Sequence, residues 1–178
     1  MPATQIRDMG PCCITWDAIG VNLEMRPVLG SVTFRAETQS EDIFENQHGL
    51  APVDAMFTGR VATLEVPMTR SNLAQLNVII HDSVKRKTGG KYKILDVPNP
   101  VGDNMFPIAK EIILKPVIDR VCSIVTSEWV HIHRCYPIDA IELVWDNSTQ
   151  RIYNVVFKCF PDDASGQVGD IYRLGPAS

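Results

Sequence analysis

The sequence predicts a mainly β domain with one flanking α-helix, and three observations carry that expectation. Short apolar and polar alternations of period two recur along the chain, separated by Gly, Pro and Asn clusters. One segment changes period, with Leu73, Leu76, Ile80 and Val84 three or four residues apart on one helical face. The composition, 45% hydrophobic and 21% charged over 178 residues, suits a single domain spanning 1–178 with a core of its own.

Taken in order, residues 12–16, 21–24 and 31–37 read as short strands divided by Gly20 and by the turn-forming residues 27–30. Residues 38–51, TQSEDIFENQHGLA, are polar and acidic without clean periodicity, and only Ile43, Phe44 and Leu50 offer apolar anchors. They are expected to form an extended loop, and a loop of this length in a compact domain is usually functional or an interaction arm. Val53, Ala55 and Phe57 then alternate over 52–58. Over 60–66, Val61, Thr63 and Glu65 oppose Ala62, Leu64 and Val66, so two strands are expected to meet at a turn around Gly59. Past Pro67 the helix is expected, capped by Thr69 or Ser71.

The run KRKTGGKYK, residues 85–93, reads as the close of that helix. Gly89-Gly90 is a helix stop, and cations in a last turn complement the helix dipole, so the five positive charges are assigned to the helix end rather than to nucleic acid. PNPVGDNMFP, residues 98–107, is a connecting loop. Strands are expected again at 111–115, 128–134, 139–145 and 151–160, the last two joined by DNSTQ as an antiparallel hairpin.

Charge and cysteine usage exclude several function classes. Residues 1–60 hold four basic and eight acidic side chains, whereas 61–178 hold thirteen of each, so the net −4 arises in the first third. High-affinity nucleic-acid binders gain affinity by neutralising phosphates, and this balance argues against one. No run approaches the about eighteen apolar residues of a membrane helix, and MPATQIRDMG lacks the apolar stretch of a signal peptide, so synthesis in a cytoplasm without membrane insertion is expected. Cys12, Cys13, Cys122, Cys135 and Cys159 show no CxxC spacing and an odd count, which favours mostly reduced, buried thiols over a disulfide framework.

The strongest catalytic lure is WVHIHRC, in which Trp129, His131, His133 and Cys135 fall on one face of a strand and offer imidazole and thiol ligands. Tyr136, Pro137 and Ile138 stand where a nearby carboxylate ligand is usual in His-x-His barrels, so structural, hydrogen-bonded histidines are the favoured reading. No nucleophile elbow, phosphate-binding Gly-rich loop or dinucleotide fingerprint occurs. Asp162-Asp163 read as turn residues rather than as a cation site. A non-enzymatic role without cofactor, metal or catalytic residues is therefore expected. The alternative is a small metal-dependent β-barrel enzyme built on His131 and His133.

In order along the chain, GPCCITWDAIGVNL, GSVTFRAETQ, GLAPVDAMFTGRVATLEVPMTRSNL, AKEIILKP and IYNVVFKCFPDD with its following Gly-rich tail resemble bacteriophage tail tube proteins, over about residues 10–175. That resemblance implies a small β-sandwich or barrel with a flanking helix, hexameric rings that stack into a hollow tube, and sheet edges that continue into neighbouring subunits. It implies a virion component made in the host bacterial cytoplasm, with sheath, terminator and baseplate proteins as partners and viral DNA passing the lumen without specific binding. Under it, the loop 38–51 becomes the candidate contact between successive rings, with Glu41, Asp42, Ile43, Phe44 and Glu45 as contact residues. A different tail or baseplate ring component of the same fold is the neighbouring alternative.

Overall fold

The computed structural model describes residues 11–17, 23–25, 31–44, 50–68, 76–77, 80, 83–97, 101–138, 153–162 and 169–175. Eleven strands lie among them: β1 (Cys12–Trp16), β2 (Leu23–Met25), β3 (Thr33–Phe44), β4 (Pro52–Met68), β5 (Val84–Thr88), β6 (Lys91–Asp96), β7 (Lys110–Ile118), β8 (Val121–Cys122), β9 (Val130–Pro137), β10 (Tyr153–Phe160) and β11 (Tyr172–Leu174). Nine form one antiparallel sheet in the order β2-β1-β7-β9-β10-β4-β3, with β8 paired to β7 and β11 to β9. The remaining two, β5 and β6, form a separate hairpin.

The sheet curls around its core. In a flat sheet β1 and β10, three steps apart in the order, would be separated by roughly 14 Å, yet the Trp16 and Phe157 ring centroids are 5.6 Å apart. Phe34 of β3 likewise meets Tyr172 of β11 edge to face at 5.0 Å. Period-two alternation supplies the core: Ile14 and Trp16, Ala62, Leu64, Val66 and Met68, Ile112 and Leu114, and Val155 and Phe157 all point inward. The inward set of β4 is the one that alternation over 60–66 predicts.

Four expectations change. Gly59 marks no turn: β4 runs unbroken through it, and the register passes from Gln39↔Gly59 to Ser40↔Phe57, leaving Thr58 as the extra residue of a β-bulge. Residues 38–44, expected in a loop, continue β3 along β4. Among the described residues no flanking α-helix is seen; Leu76 and Asn77 are helical, the Ile80 N–H donates to the Leu76 carbonyl at 2.9 Å, and most of the remaining predicted helix lies outside the described residues. Val84, the expected end of its apolar stripe, opens β5 instead. KRKTGGKYK is therefore a hairpin, with Gly89 and Gly90 at φ 62° and 77° between the paired Thr88 and Lys91, the double positive φ that a two-residue turn of this hand demands. The predicted strand at 139–145 lies outside the described residues, while β10 pairs with β9 and β4.

Candidate functional site

Strand β9 carries the histidines, and a second bulge decides what they can do. Against β7 the register passes from Lys110↔Cys135 to Ile112↔Ile132, so β9 spends one residue more than its partner. That extra residue turns Cys135 into the core beside Ile132, away from the side His131 faces. Trp129, His131, His133 and Cys135 thus do not share one face. His131 is buried, and its Nδ1 lies 3.0 Å from Glu111 Oε1 on the adjacent strand. Trp129 packs beside it at 6.0 Å between ring centroids, gives its indole N–H to the Ser123 carbonyl at 3.0 Å, and lies under the Lys115 ammonium at 4.4 Å. Burial and the nearby Arg173 guanidinium hold His133 below the ordinary imidazole range, partly offset by Glu111, Asp162 and Asp170.

Cys135 faces Cys159 directly across β9 and β10, with sulfurs 3.6 Å apart. Burial, followed by the contact with Cys159, pushes the Cys135 thiol well above its ordinary value; burial alone pushes Cys12 up to about 11. Thiols held protonated this firmly are poor nucleophiles and poor metal ligands. Cys12, Cys135 and Cys159 are free thiols, in keeping with the expectation of mostly reduced cysteines, but Cys13 and Cys122 depart from it: they are joined as a disulfide across 109 positions of sequence, because β1 and β8 both lie along β7 and bring them together. Among the described residues, the group dense enough in donors to hold a metal is this pair with Glu24, whose Oε1 is 2.7 Å from Cys122 Sγ. Bonded to each other, those sulfurs carry no hydrogen to donate and no thiolate to offer a metal. Asp162, read as a turn residue, bridges to Asp170 and accepts from Arg134 Nε at 3.1 Å.

The surface that a single copy leaves unexplained is the distal half of the β3–β4 hairpin. Glu41, Asp42, Ile43 and Phe44 pair with Met56, Ala55, Asp54 and Pro52, and every side chain on both strands there is exposed. Glu45 lies outside the described residues. Ile43 is 43% exposed, Phe44 57%, Met56 56% and Phe57 60%, which is unusual for so many large apolar groups so close together. The bulge at Thr58 sets which of them share a face: Phe57 lies with Ala55, Ser40 and Asp42, whereas Met56 and Ile43 lie with Glu41 and Asp54 on the other side. It shifts the inward face of β4 from the even positions Ala62, Leu64 and Val66 to the odd positions Phe57 and Ala55, opposite Ser40 and Asp42. The inward face of the core therefore continues onto the arm through Phe57 and Ala55, beside Ser40 and Asp42, where the domain no longer covers it. At the arm's root a shallow groove of about 440 Å³ is lined by Phe57, Arg60, Pro161, Ile171 and Tyr172 among others.

Ile43 and Phe44, named from the sequence, are exposed on the arm, and Met56 and Phe57, which the sequence reading did not name, are exposed there too. Alternation over 52–58 was the available signal, but a strand with that alternation is ordinarily half-buried. No protein-family model matches the chain, and no curated protein sequence matches it. Among solved structures it is similar to a chain of the anti-feeding prophage cap, described as a tube-terminating cap, at 9% identity and a TM-score of 0.47, with 99% of each chain covered. It is also similar to a chain of the six-fold symmetrised anti-feeding prophage baseplate, at 10% identity and a TM-score of 0.39, covering 89% of this chain and 90% of that one.

Proposed function

We propose that the chain is a structural subunit of a phage tail, whose copies close into rings, six to a ring as in the family it resembles, that stack into the inner tail tube. The observation that carries this reading is the β3–β4 arm, which holds Ile43, Phe44, Met56 and Phe57 out in solvent, Phe57 continuing the inward face of the core and Ile43 and Met56 on the opposite face. Large apolar groups exposed together mark a surface that another molecule covers, and in a repeating assembly the neighbouring copy does so. Strand β3, at the end of the sheet order, adds an edge for pairing, which a monomer would need to protect. The excess of acid over base, net −4, suits a conduit that DNA passes without being held. The role is non-enzymatic, with sheath, terminator and baseplate proteins as neighbours.

Electron microscopy and solution mass of the purified chain test this. Hollow stacked tubes are expected. Single closed rings that never stack would move the chain to a terminator or baseplate ring, and a monomer at high concentration, even with other tail components added, would overturn the assembly reading.

A further inference from the structure

The second projecting element of the chain is the β5–β6 hairpin, and its charge is the inverse of the arm's. Residues 38–59 contain Glu41, Asp42, Glu45 and Asp54 and no Lys or Arg, whereas residues 85–93 contain five cations and no acid. As a helix end those cations would complement a helix dipole, but on a hairpin they have no such role. Arg86 pairs with Asp96 across the hairpin, and Lys87 and Lys91 have exposed side chains beside the Gly89-Gly90 turn. The hairpin joins neither edge of the main sheet, and two strands alone are marginally stable in water. On the arm, none of the ion pairs among the described residues involves Glu41, Asp42 or Asp54.

We infer that the basic β5–β6 hairpin of one copy docks against the acidic distal arm, β3–β4, of a neighbouring copy. The inference rests on the reading of the chain as a self-assembling subunit and names the contact. Two arms cannot pair with each other, because each carries only acids over that stretch and like charges at close quarters repel. A contact between two different elements of identical chains is heterologous, and such contacts repeat around a ring or along a polymer rather than ending at a dimer. The exposed Ile43, Phe44, Met56 and Phe57 supply area that charge alone does not, while the opposite charges fix which element approaches which and speed the encounter. Salt then weakens the assembly, since about 1 M salt shortens the screening length to about 3 Å.

Charge reversal with complementation is the test. Lys87→Glu with Lys91→Glu, and separately Glu41→Lys with Asp42→Lys, change only exposed side chains, so circular dichroism is expected to match wild type for both. Each variant alone should need at least about tenfold more protein for half-assembly, as two attractions become two repulsions. Mixed in equal amounts, or with all four changes in one chain, assembly should return to within about twofold of wild type. If wild type assembles and both reversed variants assemble equally well, the docking is wrong while self-assembly stands. If wild type never assembles, the assembly reading falls and takes the docking with it. If the Lys87 and Lys91 variant assembles normally but loses retention on a duplex DNA column, the hairpin serves nucleic acid and the inference is overturned.

Discussion

Replacing Ile43 and Phe44 together by Ser isolates what the arm contributes. Fully burying such a side chain stabilises by about 1.5–3 kcal/mol. In the single copy Ile43 remains 43% exposed and Phe44 57%, so the two together retain about one side chain's worth of uncovered area. A neighbour that covers both therefore gains about 1.5–3 kcal/mol per arm, roughly a ten- to hundredfold change in each contact's equilibrium constant. The subunit itself should hardly notice: both residues lie beyond the bulge, and neither belongs to the core cluster. The expected outcome is a wild-type circular dichroism spectrum and melting curve alongside shorter tubes or isolated rings by microscopy, measured on one preparation. Tubes of normal length would refute the arm as an inter-copy contact. A collapsed spectrum would refute the claim that these residues are peripheral to the fold.

Three further outcomes follow from the cysteines and histidines. Reducing the Cys13–Cys122 bond, which spans 109 positions, should cost up to about 4.7 kcal/mol and lower the melting temperature by roughly 10–20 °C, with Cys13→Ser/Cys122→Ser reproducing the loss without reductant. Cys12 and Cys135 should resist alkylation of the native protein at pH 8, since burial holds Cys12 at about 11 and Cys135 well above its ordinary value; mass spectrometry showing rapid labelling of either would contradict their placement. His133 titrates below 6.5 in the folded chain, so the unfolded chain takes up its proton first as the pH falls; its contribution to stability is complete above about pH 6.5 and declines through the folded value. His133→Gln should therefore lose less melting temperature than wild type between pH 7 and 5.5, and equal losses would remove His133 as a source of acid sensitivity.

The strands were legible where one period holds and one neighbour suffices. Residues 12–16 were read to their ends, and alternation over 60–66 gave the inward set of β4, because a side chain every second residue is a local property of the backbone. What the sequence hid was long-range. Cys13 and Cys122 look unrelated until β7 provides the surface along which both β1 and β8 align. The Lys-rich run looked like a helix end because an apolar stripe at helical spacing runs into it. Gly89-Gly90 between Thr88 and Lys91 was equally a two-residue hairpin signal, and only the pairing of β5 with β6 decides between them.

The two bulges account for the most consequential misreadings and tie the fold to the proposed function. Period-two reasoning assumes that faces keep their parity along a strand, and one inserted residue exchanges them. On β9 the exchange takes Cys135 away from the side His131 faces, so the imidazole and thiol donors of WVHIHRC do not gather on one face. On β4 it does the opposite kind of work, bringing Phe57 and Ala55 onto the side that Ala62, Leu64 and Val66 occupy, so that a turn expected at Gly59 becomes the joint between a covered half-strand and an uncovered one. Arg60, before the bulge, already lies on that side; had β4 kept its parity beyond it, Thr58 and Met56 would follow there and Phe57 and Ala55 would face the other way. Inserting one residue after Gln39, to stand opposite Thr58, therefore separates the two consequences: the covered half-strand retains its inward residues, while Phe57 and Ala55 turn to the opposite face of the arm. A variant that folds with a wild-type spectrum but no longer forms tubes is the expected result, and tubes of normal length from it would show that the alignment created by the bulge is irrelevant to assembly.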